Sequence, residues 1–373
     1  MKAIAVKPGT AAIHVADRDE PAITSPDEIK LRVLQVGICG TDREEAAGGR
    51  CAAPDGLDEL VIGHEMIGQV IKTGAAVTKV KVGDYAVFSV RRSCGKCPAC
   101  QMNRSDMCYS GDYRERGIWK LDGYQTEFIV DREEYVIRVP QQVAGVGVLT
   151  EPLSVAEKAI DESLRLQASR LPDLSAAGEW LKGRRCLVAG LGPIGLLAAL
   201  ALRLREAEVY GLDVVDESGV RPQWLTGIGG KYIDGRSVSP QRMTAISGPF
   251  DLIFEATGVA SLAFNLLDVL ALNGIYVLTG IPAGSRPLDL PGAELIRQLV
   301  LDNQVMLGSV NASPDHYRMA VDDLVSGQRT WGNHISGLIT HRHTIDDFTA
   351  ALQSHGDDEI KVVVEWSKSS GPE

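Results

Sequence analysis

The chain has 373 residues, which is too long for one ordinary hydrophobic core, so we expect two domains. Hydrophobic residues make up 45% and charged residues 23%, as in a globular chain, and the net charge of −11 argues against a nucleic-acid or anionic-membrane surface. The apolar runs are shorter than the ~18 residues of a membrane span. The start Met-Lys-Ala-Ile-Ala-Val has no apolar signal segment, so we expect a cytoplasmic protein with reduced thiols.

The first 140 residues predict a β-rich domain. Short runs with β-branched residues are separated by turn sequences such as Pro-Gly, Thr-Gly and Val-Gly-Asp. The predicted strands are Met1–Val6, Glu28–Val36, Gly68–Lys72, Tyr85–Val90 and Thr126–Val130. Short strands with irregular loops are typical of a partly open barrel, whose long loops can carry metal ligands.

The pattern changes near Glu151. A helix is predicted over Pro152–Leu166, and the polar stretch Gln167–Gly178 is interpreted as a connection or insertion. From Arg184 onward, strands alternate with helices, which indicates βαβ units and a parallel sheet covered on both faces. The predicted strands are Cys186–Ala189, Glu208–Val214, Asp251–Glu255 and Gly274–Thr279, and the predicted helices are Ile194–Arg205 and Ala260–Leu272.

A mixed pattern returns after about Val310. The predicted elements are the helices Pro314–Ser326 and Ile345–Gln353, the segment Ile335–Thr340 and the last strand Lys361–Trp366. We expect this tail to pack on the first domain, which makes that domain discontinuous. The predicted bounds are 1–183 with 311–373 for the first domain and 184–310 for the second.

Four cysteines stand in one short loop with the spacing C-x2-C-x2-C-x7-C, at Cys94, Cys97, Cys100 and Cys108. Four thiolates this close in sequence can form a tetrahedral shell around one Zn²⁺. An Fe–S cluster and disulfides are the alternatives, and a reducing compartment disfavours disulfides. A closed four-sulfur shell has no open position for substrate, so we expect a structural role.

The segment Gly190-Leu-Gly-Pro-Ile-Gly195 has the G-x-G-x-x-G pattern between a predicted strand and a predicted helix. This context favours a dinucleotide site, with the pyrophosphate at the helix N-terminus, over a glycine-rich turn of another kind. Asp213 ends the next strand, where a carboxylate binds a ribose 2′-hydroxyl and repels a 2′-phosphate, so NAD is preferred to NADP. The candidate contacts are Gly190, Gly192, Pro193, Ile194, Gly195 and Asp213.

A second candidate metal set is spread over three segments. Cys39, the pair His64-Glu65, and Glu151 together offer a thiolate, an imidazole and carboxylates. Such a set suits a zinc ion with three protein ligands and an open fourth position. Each residue also has an ordinary interpretation, as a core cysteine or a hydrogen-bonded His–Glu pair, and spacing alone leaves both possibilities open.

In their order along the chain, these motifs resemble the zinc-dependent medium-chain alcohol dehydrogenase superfamily. The resemblance covers nearly the whole length and implies an α/β chain with a GroES-like, partly open β-barrel catalytic domain and a Rossmann doubly wound parallel sheet. It rests on Gly37–Asp42, Gly63–Glu65, Val82–Asp84, the four-cysteine loop, Glu151–Ser154 and Gly190–Gly195. Further details resemble the glucose dehydrogenase branch, namely Thr41–Glu44, Arg91-Arg92, Tyr113–Ile118, Glu151–Lys158 and Gly308–Asn311.

The resemblance implies catalytic zinc ligands at Cys39, His64 and Glu151, with Glu65 able to join or exchange. It also implies sugar contacts from Thr41, Glu115, Glu151 and Asn311, with Asn311 assigned to the cofactor as well. Thr41 is the candidate proton relay, and Glu65 and Glu151 are assigned catalytic roles. A homodimer or homotetramer is expected.

The expected activity is oxidation of D-glucose to gluconolactone with one catalytic zinc, one structural zinc and NAD, NADP being possible. Zinc acts as a Lewis acid on the sugar oxygen, because a sugar hydroxyl is too weak an acid at neutral pH. A sorbitol-type polyol or secondary-alcohol dehydrogenase is the alternative enzyme. A dinucleotide-binding protein without catalysis is a more remote one.

Overall fold

The structure is a computed structural model that describes residues 1–171, 179–282, 287–353 and 356–367. Its strands are β1 (Lys2–Val6), β2 (Ile13–Asp17), β3 (Glu28–Ile38), β4 (Leu60–Val61), β5 (Glu65–Thr73), β6 (Tyr85–Phe88), β7 (Arg91–Arg92), β8 (Arg114–Arg116), β9 (Lys120–Leu121), β10 (Phe128–Arg132), β11 (Val136–Val139), β12 (Arg185–Ala189), β13 (Glu208–Asp213), β14 (Lys231–Asp234), β15 (Phe250–Glu255), β16 (Leu270–Leu278), β17 (Val305–Gly308), β18 (Ile339–Thr344) and β19 (Lys361–Glu365).

The α-helices are α1 (Gly40–Ala46), α2 (Pro98–Gln101), α3 (Thr150–Arg170), α4 (Pro193–Leu204), α5 (Val220–Gly227), α6 (Pro240–Ser247), α7 (Ala260–Asn265), α8 (Gly292–Leu301), α9 (Pro314–Trp331) and α10 (Phe348–Ala351). In the part of the chain that the structure describes, no helix has the length and apolarity needed to cross a membrane. The chain divides into two compact units, Met1–Ser154 with Asn311–Glu373, and Val155–Val310.

The first unit is built on a mostly antiparallel sheet in the order β11-β6-β5-β3-β19-β18, with β10 also paired to β3. Aliphatic residues along β3, such as Leu31 and Val33, are buried against Val70 and Phe88. The C-terminal strand β19 pairs with β3, so the end of the chain is part of this sheet. A smaller sheet, β7-β8-β9, lies next to the four-cysteine loop in sequence.

The second unit is a parallel sheet in the order β14-β13-β12-β15-β16-β17. The strand order reverses between β12 and β15, which is the point where doubly wound sheets bind dinucleotides. Helix α4 follows β12 directly, and its residues from Gly195 to Leu202 are buried. The glycine turn between β12 and α4 therefore lies at the edge of the sheet where a dinucleotide is expected.

The predicted helix over Ala260–Leu272 is wrong in its second half. Helix α7 ends at Asn265, a 3₁₀ turn covers Leu266–Val269, and β16 begins at Leu270. Leu270 is already paired with Phe250 of β15. The apolar spacing suits a buried helix and a buried strand equally well, so periodicity alone could not place the change.

The helix predicted over Pro152–Leu166 is longer at both ends, because α3 runs from Thr150 to Arg170. The connection predicted for Gln167–Gly178 is therefore wrong at its start. Gln167 is buried in the helix and donates its side-chain Nε2 to the carbonyl oxygen of Asn273 at 2.9 Å. The rest of that prediction, residues 172–178, lies outside the described residues.

Candidate active site and metal centres

The four cysteines of the loop converge on one point. The ligand atoms of Cys94, Cys97, Cys100 and Cys108 all lie within 4.8 Å of one another. Neighbouring Sγ atoms are 3.4 to 3.8 Å apart. A disulfide requires about 2.05 Å, whereas Zn–S bonds of about 2.3 Å place tetrahedral sulfurs roughly 3.8 Å apart. The separations therefore fit four ligands of a single zinc ion.

Backbone donors support thiolate character in this loop. The backbone N–H groups of Lys96 and Cys97, followed by the Ser110 hydroxyl, lower the pKa of Cys94 to about 6. A thiolate is the form that binds a metal. The loop is not uniform, because burial raises the pKa of Cys100 to about 11. Outside the two candidate metal sets, burial also raises the pKa of both Cys51 and Cys186. These two residues have the character of inert thiols.

A second set of potential ligands gathers in the first unit. Among the described residues, the ligand atoms of Cys39, His64 and Glu65 lie within 4.8 Å of one another. His64 and Glu65 are 4% and 1% exposed. A thiolate, an imidazole and a carboxylate are the donor types of catalytic zinc sites, so these residues fit the expected metal.

Strand register explains how Glu65 reaches this position. Gly37 of β3 lies opposite Glu65 of β5 on one side and Val363 of β19 on the other. A Cβ atom on Gly37 would lie only 2.1 Å from Glu65 Oε2. Glycine is therefore required at position 37 for the carboxylate to lie across the strand.

No local sequence pattern indicates the cation that binds Glu65. The Lys361 ammonium donates to Glu65 Oε1 at 2.8 Å and to Oε2 at 2.6 Å, and also to the carbonyl oxygen of Ile38 at 3.1 Å. Lys361 is 2% exposed. The carboxylate and the ammonium thus neutralise each other in a site without solvent, as buried charges require.

A second acid that sequence reasoning missed lies beside His64. Asp42 Oδ1 is 3.6 Å from His64 Nδ1, which is within ion-pair range but too long for a hydrogen bond. Asp42 Oδ2 accepts a hydrogen bond from the backbone N–H of Cys39 at 2.7 Å, which begins helix α1. Aspartate at the first turn of a helix is a sequence signal that could have suggested this role.

Negative charge is concentrated around this site. Burial alone would lower the pKa of His64, but Asp42 and Cys39 raise it well above its ordinary value. Burial, opposed by His64, raises the pKa of Glu151 to about 7. Glu151 therefore lies within electrostatic range of His64, although it is not a member of the close set of Cys39, His64 and Glu65. Such a concentration of anions suits a divalent cation.

The predicted sugar contacts fall into two groups. Thr41 lies beside the metal set, with its Oγ1 3.9 Å from Cys39 Sγ. Asn311 donates from Nδ2 to Glu115 Oε1 at 2.5 Å, so the structure brings these two predicted residues together. Asn311 has a φ of 65°, in the left-handed region that asparagine tolerates better than most residues. The cofactor contact of Asn311 stays a prediction.

Arg91 holds Glu115 from the other side. Its Nε donates to Glu115 Oε1 at 3.2 Å, and its Nη1 donates to the carbonyl oxygen of Asp106 at 3.2 Å. The guanidinium also stacks on the ring of Tyr113 at 3.7 Å. Arg91 thus links a predicted substrate residue to the four-cysteine loop, a role that its position in the sequence did not reveal.

In the second unit, a pocket of about 360 Å³ is lined by Gly190, Gly192, Asp213 and Thr257, among other residues. Gly195 packs so closely that a Cβ atom there would lie 1.8 Å from the Gly190 carbonyl oxygen. Pro193 and Ile194 form the first turn of α4, whose free N–H groups suit a phosphate.

Asp213 lies at the end of β13 and lines the same pocket. Its Oδ2 accepts a hydrogen bond from the backbone N–H of Leu191 at 2.8 Å, and its Oδ1 accepts one from Val214 at 2.7 Å. The carboxylate therefore supports the glycine turn as well as lining the pocket.

Two family models match the chain. The alcohol dehydrogenase GroES-like domain matches residues 25–141, and the glucose dehydrogenase C-terminus matches residues 144–366. The chain belongs to the glucose dehydrogenase branch of the zinc-dependent medium-chain alcohol dehydrogenases. The GroES-like and Rossmann fold class predicted from the sequence is thereby confirmed.

Similar proteins match over nearly their full lengths. Glucose 1-dehydrogenase of Methanocella arvoryzae is 36% identical over 98% of this chain and 99% of the relative. Glucose 1-dehydrogenase 2 of Vulcanisaeta moutnovskia is 36% identical over 99% and 100%. The structure of Haloferax mediterranei glucose dehydrogenase in complex with NADP, Zn and gluconolactone matches with a TM-score of 0.87, at 31% identity over 99% and 100%.

Proposed function

We propose that this glucose dehydrogenase family member oxidises D-glucose to gluconolactone with NAD or NADP as the hydride acceptor. The observation that carries the proposal is the convergence of Cys39, His64 and Glu65, in a unit where Asn311 and Glu115 also meet. The full-length similarity to glucose 1-dehydrogenases, including one bound to NADP, Zn and gluconolactone, supports the substrate and the cofactor class.

Cys39, His64 and a carboxylate would hold the catalytic zinc, with Glu65 and Glu151 as the exchanging carboxylates. When bound, zinc supplies Lewis acidity at the reacting oxygen and the nicotinamide accepts the hydride. The Asp42 carboxylate lies within ion-pair range of the His64 imidazole, 3.6 Å from its Nδ1. Lys361 holds the Glu65 carboxylate beside the site by two hydrogen bonds.

The remaining residues act on the sugar. The Thr41 hydroxyl, beside the Cys39 sulfur, can accept the proton that leaves the reacting hydroxyl and pass it on. Glu115 and Asn311 can each hydrogen-bond a sugar hydroxyl, and their mutual contact fixes both. A site that pairs with hydroxyls rejects analogues lacking them more strongly than an apolar pocket does.

The carboxylate of Asp213 supports NAD over NADP, because it suits a free ribose 2′-hydroxyl. Zinc at Cys94, Cys97, Cys100 and Cys108 would have a structural role, because four sulfurs complete its shell. A homodimer or homotetramer in the cytoplasm is part of the proposal, as are the domain bounds 1–183 with 311–373 and 184–310.

The deciding experiment is a substrate panel followed by NADH or NADPH absorbance, with glucose, galactose, xylose and sorbitol offered to zinc-loaded enzyme. We expect the highest kcat/KM with glucose. Cys39→Ser and His64→Ala should abolish turnover while NADH still binds, as read by fluorescence. Cys51→Ser is the matched control and should keep its activity. A preference for sorbitol, or turnover in metal-checked Cys39→Ser, would contradict the proposal.

A further inference from the structure

The two faces of the small sheet β7-β8-β9 have different surroundings. Arg91 pairs with Glu115 across the β7–β8 ladder, and Arg92 pairs with Arg114. Successive side chains of a strand point to opposite faces. Arg91 and Glu115 accordingly hydrogen-bond each other, whereas Arg92, Arg114 and Arg116 line a pocket of about 340 Å³. One face therefore carries the predicted sugar contact, and the other carries clustered guanidinium groups.

The guanidinium groups in this pocket exceed the carboxylates that neutralise them. Arg92 and Arg116 both donate to the same oxygen of Asp131. Among the described residues, Arg114 has no carboxylate partner, and it lies directly opposite Arg92. Like charges directly opposite in a ladder are destabilising. Arg92, Arg114, Arg116 and Asp131 together leave two positive charges without counterions.

The rim of the pocket does not remove this excess. Glu28 also lines the pocket and keeps its negative charge, although its carboxylate accepts the backbone N–H of Thr24 at 2.7 Å. Arg132 also lines the pocket and adds a positive charge, and its contacts with Asp27 and Glu134, both at 3.9 Å, are exposed. The four lining arginines therefore exceed the two lining carboxylates by two charges. A local positive excess in a chain of net charge −11 calls for a specific explanation.

Two of the arginines are held rigidly. Arg92 is 6% exposed, donates to the carbonyl oxygen of Ser89 and stacks on the Tyr135 ring at 3.7 Å. Arg116 is 9% exposed and donates to the carbonyl oxygen of Asp122 at 2.9 Å. Rigid donors lose little entropy when a ligand binds. Arg114, in contrast, is exposed and available for direct contact.

We propose that this pocket binds the phosphoryl group of a small ligand. A phosphoryl dianion would neutralise the two excess charges, and guanidinium groups match phosphate oxygens in bidentate geometry. The volume of about 340 Å³ lies at the small end of the range for small-molecule sites. The proposal is independent of the proposed function, because it concerns the face of the sheet opposite Glu115.

The test is isothermal titration calorimetry of the zinc-loaded enzyme with inorganic phosphate at constant ionic strength, which measures the dissociation constant and the stoichiometry. The enzyme is saturated with NADH, so that the anion site at the glycine turn is filled. We expect one phosphate to bind, and Arg114→Gln to weaken its affinity about tenfold or more, because a charge-assisted contact is lost. Arg114→Lys should retain part of the affinity. Arg318→Gln removes another exposed arginine, on α9, and should leave phosphate binding unchanged.

A parallel titration with glucose 6-phosphate distinguishes the sources of the phosphoryl group. Tighter binding of the ester than of inorganic phosphate, with that binding weakened in Arg114→Gln, would support a phosphorylated metabolite. The reverse order of affinities would support free phosphate. Failure of both ligands to bind the NADH-saturated enzyme would overturn the proposal. Equal losses in Arg114→Gln and Arg318→Gln would also overturn it, because the effect would then reflect overall charge alone.

Discussion

Lys361 donates to both carboxylate oxygens of Glu65, although the two residues are 296 positions apart in sequence. The pair is buried beneath the cluster of Cys39 and His64, with Lys361 2% exposed and Glu65 1% exposed. Burial makes the pair costly to break, because removing one charge leaves the other unpaired away from water. The last strand of the chain therefore contributes directly to the geometry of the candidate metal site.

Lys361→Met should destabilise the protein by about 3–5 kcal/mol, because the Glu65 carboxylate loses its counterion in a buried site. Urea unfolding at neutral pH measures the loss. The double variant Lys361→Met with Glu65→Leu should recover most of it, since no buried charge remains. Lys182→Met, which breaks an exposed pair with Glu206, is the control and should change stability by less than about 1 kcal/mol. A Lys361→Met variant as stable as that control would contradict the argument.

Arg91→Met should lower kcat/KM for glucose roughly tenfold, mainly through a higher KM, because Glu115 loses one of the two side chains that donate to its Oε1. The kcat/KM of Arg91→Lys should lie between those of the native enzyme and Arg91→Met, since an ammonium group cannot reproduce the forked contacts to Glu115 and Asp106. Steady-state kinetics with both substrates provides the readout. The KM for NAD should not change in either variant. Arg138→Met is the matched exposed control, and an equal loss there would refute a specific role for Arg91.

Two glycines of the nucleotide turn should respond differently to alanine. In Gly195→Ala, the new Cβ would meet the Gly190 carbonyl oxygen at 1.8 Å, so we expect a lower unfolding temperature. In Gly192→Ala, no atom lies within 4 Å of the new Cβ, so stability should be preserved. Dinucleotide affinity should still fall in Gly192→Ala, because the methyl group lies where the pyrophosphate approaches the backbone. Thermal unfolding with and without NADH separates these effects, and similar unfolding temperatures for both variants would contradict them.

Asp213→Asn should shift cofactor preference toward NADP by about tenfold or more, because the repulsion of a 2′-phosphate is removed. The amide oxygen can still accept the hydrogen bond from Leu191, so the glycine turn should be preserved. The ratio of kcat/KM for NADP and NAD is the measurement. Asp213→Gly with Val214→Arg should shift the ratio further, since it also adds a phosphate partner. An unchanged preference between NAD and NADP in both variants would show that Asp213 does not determine the cofactor.

The stability contributed by Asp131 should depend on pH. Burial would raise its pKa, but Arg116 and Arg92 lower it to about 2, below the ordinary value of 3.8. The ionised form is thus favoured by folding, so its contribution is present above about pH 4 and is lost as pH falls toward 2. The stability difference between the native protein and Asp131→Asn should shrink by roughly 2 kcal/mol over that range. Urea unfolding at several pH values tests this, and a pH-independent difference would contradict it.

Most of the correct predictions from the sequence came from motifs within one short segment of the chain. The glycine turn and the four-cysteine loop each occupy one short segment, and their chemistry depends on spacing within that segment. The alternation of strands with helices was likewise enough to indicate the parallel sheet of the second unit. The end of α7 could not be placed, because Leu266, Leu267 and Leu270 form a short buried apolar run that suits a helix and a strand equally well.

The parts that sequence reasoning missed depend on register between distant strands. Gly37 lies beside Glu65 only because β3 pairs with β5, and Lys361 reaches the same carboxylate because β19 pairs with β3 on its other edge. Lysine near the end of a chain is ordinarily exposed, so nothing local marked Lys361 as buried. The capping role of Asp42 could have been predicted, since an acidic residue at the start of a helix is a familiar capping signal.

The contrast between the two groups of cysteines makes thiol reactivity a gauge of metal occupancy. The pKa values of Cys51 and Cys186 are raised, so these thiols should react slowly with a chromogenic thiol reagent near neutral pH. The pKa values of Cys94 and Cys108 are lowered, so these two thiols would be shielded while zinc is bound to the loop and would react once it departs. The colour that develops during chelation would therefore report the loss of zinc from the four-cysteine loop.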